Sequence, residues 1–354
     1  MFTTGQCNLK CRYCGGSFPP NLVPWKTHYS INHLKRFISD DRKPVIAFYG
    51  GEPLLNTGFI KHVLKQFPAA KLVIQSNGIL ARELDPEYWL EFDTVLLSID
   101  GRRIVTDHYR GARVYDKVVD CARWLRKIGY NNDLIARMTV SELSDIFLDV
   151  RHLASLNLFD HIHWQLDVVW SSCWESFYEW CESSYMHGVC RLVNQWIEEA
   201  RKGRVTGLVP FLAILRAMIR NVEISCPPCG AGVDSVSILT DGSIISCPIA
   251  VDVEWAKLGS ILKDSRADVV KKARIGEPCT SCNHLRFCGG RCLYAHNERL
   301  WGQDGFDKIC EVTIRTIDEL AKIRDEVLNL LDGNVISMDQ LEYPLFNNTT
   351  ELIP

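Results

Sequence analysis

The stretch Cys7-Asn8-Leu9-Lys10-Cys11-Arg12-Tyr13-Cys14 carries three cysteines at C-x3-C-x2-C spacing. Three thiolates can hold three irons of a cubane [4Fe–4S] cluster and leave the fourth iron open to a ligand. Structural zinc usually takes four protein ligands, commonly in two close pairs. A ferredoxin run would need a fourth cysteine nearby, and the next is Cys121. A cluster with one open iron is therefore a better account than a zinc loop or a ferredoxin fragment.

Outward from this loop, strand-like and helix-like segments alternate. Residues 1–4 read as a strand feeding the cysteines. Ser30 then reads as a helix N-cap, with Ile31, Leu34, Phe37 and Ile38 at helical spacing. Short apolar runs at 44–49, 71–76, 94–99, 134–140 and 161–169 read as strands. Helical patterns follow at 59–67, 86–92, 114–128, 143–156 and 175–202. Six strand–helix units predict a parallel sheet covered by helices. They are too few for an eight-fold barrel, so the expected fold class is α/β, a partial (β/α)6 TIM-like barrel. In the sixth strand His161, His163, Gln165 and Asp167 alternate with Ile162, Trp164, Leu166 and Val168. Alternation puts the polar set on one face, which is either the lining of a lumen or the wet side of an edge strand.

The remainder of the chain differs in character. Helical spacing around 205–225 suggests a linker helix, and residues 226–310 are rich in cysteine, glycine and loops. Asp241-Gly242 between two short apolar runs predicts a hairpin. From Val312 to Leu331 apolar residues recur at helical spacing, before a tail ending at Pro354. The expected division is 1–204 barrel, 205–225 linker, 226–310 cysteine-rich domain and 311–354 helix and tail. Formal net charge is −3, which gives no electrostatic case for nucleic acid or an anionic membrane. The sequence has neither a signal-peptide pattern nor a bilayer-length apolar run, so the expected location is cytoplasmic. Fifteen cysteines in a reducing compartment point to metal rather than disulfides. Cys121, Cys173, Cys181 and Cys190 lack pair spacing and read as packing residues.

The cysteine triplet, with Tyr13 before its last member, resembles the signature of the radical S-adenosylmethionine (SAM) superfamily. Gly50-Gly51-Glu52-Pro53, after the second strand, is similar to that superfamily's GGEP motif. The resemblance implies that SAM chelates the open iron, and that reduction cleaves it to methionine and a 5′-deoxyadenosyl radical. It implies SAM contacts from Tyr13, Gly50, Gly51, Glu52, Asn77, Ser98 and Arg110. The glycines at a strand end would let a ligand approach the backbone, and Glu52 would accept from its ammonium group. Ser98 and Arg110 stand where peptide-modifying members hold the SAM carboxylate; a surface salt bridge is the plainer reading of Arg110.

The second cysteine set, Cys279-x2-Cys282-x5-Cys288-x3-Cys292 and then Cys310, resembles the SPASM extension of radical SAM peptide maturases. Cys229 and Cys247 match its preceding half, and Cys226 completes eight thiols. Eight thiolates suit two fully ligated [4Fe–4S] clusters. By the family pattern, Cys226, Cys229, Cys247 and Cys292 hold one cluster, and Cys279, Cys282, Cys288 and Cys310 the other. Two zinc ribbons are the structural alternative.

The implied enzyme is a radical SAM/SPASM oxidoreductase that abstracts hydrogen from a peptide or protein side chain under anaerobic conditions. It would use SAM and three [4Fe–4S] clusters. Its partners would be a reductant such as ferredoxin or flavodoxin and a peptide or protein substrate. Because Cys7 lies so near the start, a substrate leader would be read by a separate protein or by the barrel. Pro248 follows Cys247 where anaerobic sulfatase maturases carry an aspartate, which argues against formylglycine formation. Asp100, His163, Gln165 and Asp167 are the candidates for substrate contact or proton transfer. The alternatives are a radical SAM enzyme acting on a small cofactor precursor and a non-catalytic Fe–S electron carrier.

Overall fold

The computed structural model describes residues 1–167, 172–270 and 274–346. Six strands form one parallel sheet in chain order: β1 (Phe2–Thr4), β2 (Val45–Gly50), β3 (Lys71–Ser76), β4 (Thr94–Ser98), β5 (Asp133–Val140) and β6 (His161–Leu166). This is the expected partial (β/α)6 barrel. The expected β6 extended to 169, but Val168 and Val169 lie outside the described residues.

The two faces of the sheet have different jobs. Outward residues such as Phe48, Ile74, Val95, Leu97, Ala136 and Trp164 join the main core beneath the helices Thr57–Gln66, Val114–Lys127 and Ile146–Ser155. The inward face changes character along the strands. Val73, Leu96 and Ile135 form a small separate apolar plug with Ala47 and Phe346. Two residues further along each strand, the inward positions become Tyr49, Gln75, Ser98 and Arg137. Parallel register sets Ser98 beside Arg137 and Arg137 beside His163. An apolar floor and a polar upper wall therefore arise from one period-two alternation.

Both ends of the sheet are covered. Beside β6, the Ile162 amide donates to the Gly207 carbonyl (2.8 Å), and Ile162 bridges to Leu208 in parallel. The segment read as a linker thus caps an edge that would otherwise template further pairing. Its helix, Val209–Arg220, packs against β6 and against the long helix Gly302–Asp332. That helix starts earlier than expected, so Cys310 sits inside it. The helix expected over 175–202 is present, with π-helical Cys181–Met186 between α-helical Phe177–Trp180 and His187–Ala200.

Near β1 sits the second sheet, antiparallel β7 (Ser237–Ile238), β8 (Ser243–Ile245) and β9 (Lys257–Ser260), with the expected turn at Asp241-Gly242. Leu239 and Ile245 pack on Phe2 and Val23. Ile238, Ile244 and Leu258 pack on Leu34 and Phe37 of the helix Ile31–Ile38. These contacts fix the cysteine-rich part over the open end of the barrel. Among the described residues, no helix is long and apolar enough to cross a membrane.

Candidate active site

One cavity of ≈ 270 Å³ lies at the C-terminal ends of the strands. Its wall brings together Cys7, Cys11 and Cys14, the Gly50-Gly51-Glu52 turn, Asn77, Ser98 and Arg110. Cys229, Cys247 and Pro248 of the cysteine-rich part line the same cavity. The N-terminal thiols and two of the downstream thiols therefore face one space.

The turn after β2 explains how the cysteine loop is held. The Gly51 amide donates to the Thr4 carbonyl (3.1 Å) and the Glu52 amide to that of Gln6 (2.7 Å). A Cβ on Gly51 would lie 2.0 Å from the Gln6 carbonyl oxygen, and one on Gly50 2.3 Å from that of Thr4. The close approach expected of a ligand is made instead by the chain's own entry into the loop, although both glycines line the cavity. Cys11 and Cys14 share a hydrogen bond that draws the Cys14 thiol down to about 6 and raises that of Cys11.

Glu52 is buried, 1% exposed. Its carboxylate accepts from the Ser76 hydroxyl (2.8 Å) and from the amides of Asn77 (2.8 Å) and Leu54 (3.1 Å). Burial outweighs these bonds and pushes its pKa up to about 7. A cationic ligand would restore the charged form. Asn77 also donates its side-chain amide to Asn8 (2.7 Å), which ties β3 to the cysteine loop.

Arg110 reaches the cavity from the short helix Arg103–Arg110, which the periodicity reading missed. It is 8% exposed, so the surface salt bridge is excluded. Its Nε and Nη2 donate to both oxygens of Asp100 (2.8 and 2.7 Å). Burial opposes its charge, but Asp100, Tyr13 and Cys11 more than compensate, leaving the pKa raised.

Three of the four proton-transfer candidates need correction. Asp100 is fully buried and outside the cavity wall. Besides Arg110, it accepts from the Tyr13 hydroxyl (3.0 Å) and the Thr139 amide (2.9 Å). Its carboxylate is consumed in positioning Arg110 and Tyr13. His163 is likewise fully buried behind the wall, its Nδ1 2.6 Å from Arg137. Asp167, 3% exposed, accepts from the Ser141 hydroxyl (2.9 Å) and also stays out of the lining. Only Gln165 lines the cavity. Arg137 and Thr139, which also line it, were not anticipated. The available signal was an arginine in the middle of the otherwise apolar run Leu134–Met138.

The downstream cysteines fall into neighbourhoods. Burial first, then the thiols of Cys310, Cys288 and Cys282, push Cys279 up to about 11. Cys247 and Cys292 both lie near Tyr294. Arg291 donates to the Cys310 sulfur (3.2 Å), and His296 Nδ1 lies 3.6 Å from that of Cys279. A set of soft thiols is a donor set that iron–sulfur clusters take, and the chemistry of these residues fits such a group.

Residues 1–143 match the radical SAM superfamily. That stretch of the chain carries a radical SAM domain. A curated relative, pre-heme d1 synthase of Dinoroseobacter shibae, is 26% identical over 151 residues, 40% of this chain and 36% of that protein. The chain thus spans about a third of that relative's length. The structure of anSMEcpe with bound AdoMet superposes at TM-score 0.72 with 19% identity, covering 92% of this chain and 97% of that one. Streptococcus suis SuiB bound to its precursor peptide SuiA superposes at 0.57 with 16% identity, covering 82% and 70%. At these identities the two structures establish a shared fold.

Proposed function

We propose that the protein is a radical SAM enzyme, a SPASM-type maturase that modifies a side chain of a peptide or protein substrate. The observation that carries the reading is the single cavity walled by the Cys7/Cys11/Cys14 loop and by Cys229 and Cys247. Within it, Glu52 and Arg110 complement the ammonium and carboxylate of an α-amino acid. Tyr13, Asn77 and Ser98 would complete the SAM contacts. Bound there, a [4Fe–4S] cluster and SAM supply one-electron reductive cleavage and a hydrogen-abstracting radical. The protein's own part is positional. Glu52 holds the ammonium, Asp100 aims Arg110 at the carboxylate, and the second sheet roofs the cavity against water.

The neighbourhoods of Cys279/Cys282/Cys288/Cys310 and of Cys247/Cys292 support two auxiliary clusters in the interleaved SPASM pattern, with Cys226 and Cys229 completing the latter. Peptide chemistry is supported by the likeness to the peptide-bound SuiB structure. A small-molecule substrate is the second reading, favoured by the match to pre-heme d1 synthase.

Anaerobic reduction of the reconstituted enzyme with SAM should yield 5′-deoxyadenosine, and Cys11→Ala should abolish it. An enzyme that makes none would sink the proposal. Iron analysis should give about twelve irons per chain, against about eight if a single auxiliary cluster is present. Mass spectrometry of co-purifying proteins should find one recurrent mass change in the native enzyme that disappears with Cys11→Ala. A modified small metabolite and no modified protein would favour the second reading.

A further inference from the structure

His296 lies outside the cavity wall, yet it touches a candidate cluster ligand. The residue is buried, 6% exposed, and its Nδ1 lies 3.6 Å from Cys279 Sγ. We infer that His296 is a positioning residue for the iron–sulfur cluster proposed on Cys279, Cys282, Cys288 and Cys310: its Nδ1–H donates to the Cys279 sulfur and raises the reduction potential of that cluster. The inference rests on the proposed cluster reading and adds a residue that tunes it.

The direction of this hydrogen bond follows from the other ring nitrogen. Nε2 accepts from the Gly276 amide (3.2 Å). A backbone N–H can only donate, so Nε2 carries no proton. An imidazole with one bare nitrogen carries its proton on the other, which is Nδ1. The contact at Cys279 is therefore N–H to sulfur, and not S–H to nitrogen. Gly276 serves both ends of the arrangement, because its carbonyl accepts from the Cys279 amide (3.1 Å). One residue thus sets the tautomer of the histidine and the place of the thiol.

Local structure holds the ring still. His296 sits on the short helix Leu293–Glu298, whose N-cap is Cys292, and its amide donates to the Cys292 carbonyl (2.9 Å). Its ring meets that of Phe306 edge-on, with centroids 5.9 Å apart. Phe306 is itself buried at the start of the long helix. Cys310, of the same set as Cys279, accepts from Arg291 (3.2 Å). Two of the four sulfurs proposed for one cluster therefore receive N–H donors. Hydrogen bonds to sulfur and exclusion of solvent are two of the levers that set an iron–sulfur potential. A donor at sulfur favours the form that carries more negative charge, which is the reduced one.

The test is potentiometric titration followed by electron paramagnetic resonance, on reconstituted full-length protein carrying Cys7→Ala, Cys11→Ala and Cys14→Ala. That parent retains the two auxiliary clusters, about eight irons per chain. His296→Leu removes the donor and keeps an apolar bulk. It should lower the reduced-to-oxidised ratio of one cluster at least about tenfold at fixed potential, about 59 mV for one electron, and leave the other cluster where it was. His296→Asn, whose side-chain amide can stand in for Nδ1–H, should recover part of the shift. Equal iron content across the three proteins shows that a cluster has moved in potential and has not been lost. The parent, isotope-labelled at histidine nitrogen, supplies a measurement that needs no change at His296: the reduced signal should show one weakly coupled histidine nitrogen. Equal potentials in His296→Leu and its parent, equal shifts in the Leu and Asn variants, or no histidine coupling each overturn the inference. About four irons in the parent, with the His296→Leu shift intact, keeps the role of His296 and refutes the pair of clusters. A parent with no reducible cluster refutes the cluster reading and the inference together.

Discussion

Removing the Asp100 carboxylate should disturb the seating of Arg110 in the cavity wall, and the size of the effect can be worked out. Asp100 is fully buried and accepts four hydrogen bonds, two from Arg110 and one each from Tyr13 and the Thr139 amide. Asp100→Ala leaves the Arg110 guanidinium, 8% exposed, as a buried charge without its counter-ion. Breaking such a pair from one side costs about 3–5 kcal/mol. Arg110→Ala strands a carboxylate that keeps its bonds from Tyr13 and Thr139, so its cost should be the smaller. The double variant leaves no stranded charge. It should therefore cost no more than Asp100→Ala alone, a coupling of about 3 kcal/mol between the two sites. The assay is urea unfolding of the four reconstituted proteins under argon, followed by tryptophan fluorescence. Calorimetric SAM binding to Asp100→Asn should weaken by about tenfold or more, because Arg110 loses a charge-assisted anchor. The reasoning fails if Asp100→Ala costs less than about 1 kcal/mol, below the range for a buried pair, or if the single costs simply add.

The pKa of Glu52, raised from 4.5 to about 7 by burial, gives a pH signature. A carboxyl raised in the folded state contributes stability that is full below about 4.5 and lost as pH rises through about 7, roughly 3 kcal/mol in all. SAM-free protein should lose stability across that window, and Glu52→Gln should flatten the profile. Because an ammonium partner favours the charged form, SAM binding at pH 6 should release close to one proton, read as buffer-dependent heat. Equal heats in phosphate and Tris would contradict the assignment. Gly51→Ala places a methyl 2.0 Å from the Gln6 carbonyl and 2.9 Å from the Cys7 amide, so the cysteine loop must move. Iron content should drop by about four per chain, and unchanged iron would refute the packing role. Phe37→Ala should destabilise by about 3–5 kcal/mol and increase proteolysis of the second sheet, since Phe37 is 3% exposed against Ile238, Ile244 and Leu258.

The sequence was most informative where chemistry depends on spacing along the chain. The cysteine triplet, the GGEP turn and the later cysteine series are local patterns, legible from spacing alone. The alternation of short apolar runs with helical patterns specified the parallel barrel, because each strand buries its outer face under the helix that follows. The helix carrying Arg110 was missed because it spans only Arg103–Arg110, too short for a periodic pattern. The role of the glycines at 50 and 51 was visible as a need for space, but not what fills that space. Thr4 and Gln6 meet them only once β1 pairs with β2.

Depth is what the tertiary structure decided. Period two puts His163, Gln165 and Asp167 on one face of β6, and the structure turns that face inward. The alternation does not say how far each lies from the cavity. That depends on the stagger between neighbouring strands, on the apolar plug of Val73, Leu96 and Ile135 beneath, and on the second sheet above. Register sets Arg137 between Ser98 and His163, so the arginine lines the cavity and the histidine supports it from behind. The sequence by itself determined the spacing of the thiols and, in β6, which side chains share one face. Only the assembled partial barrel determined which inward side chains line the cavity, because that follows from contacts between residues far apart in the chain.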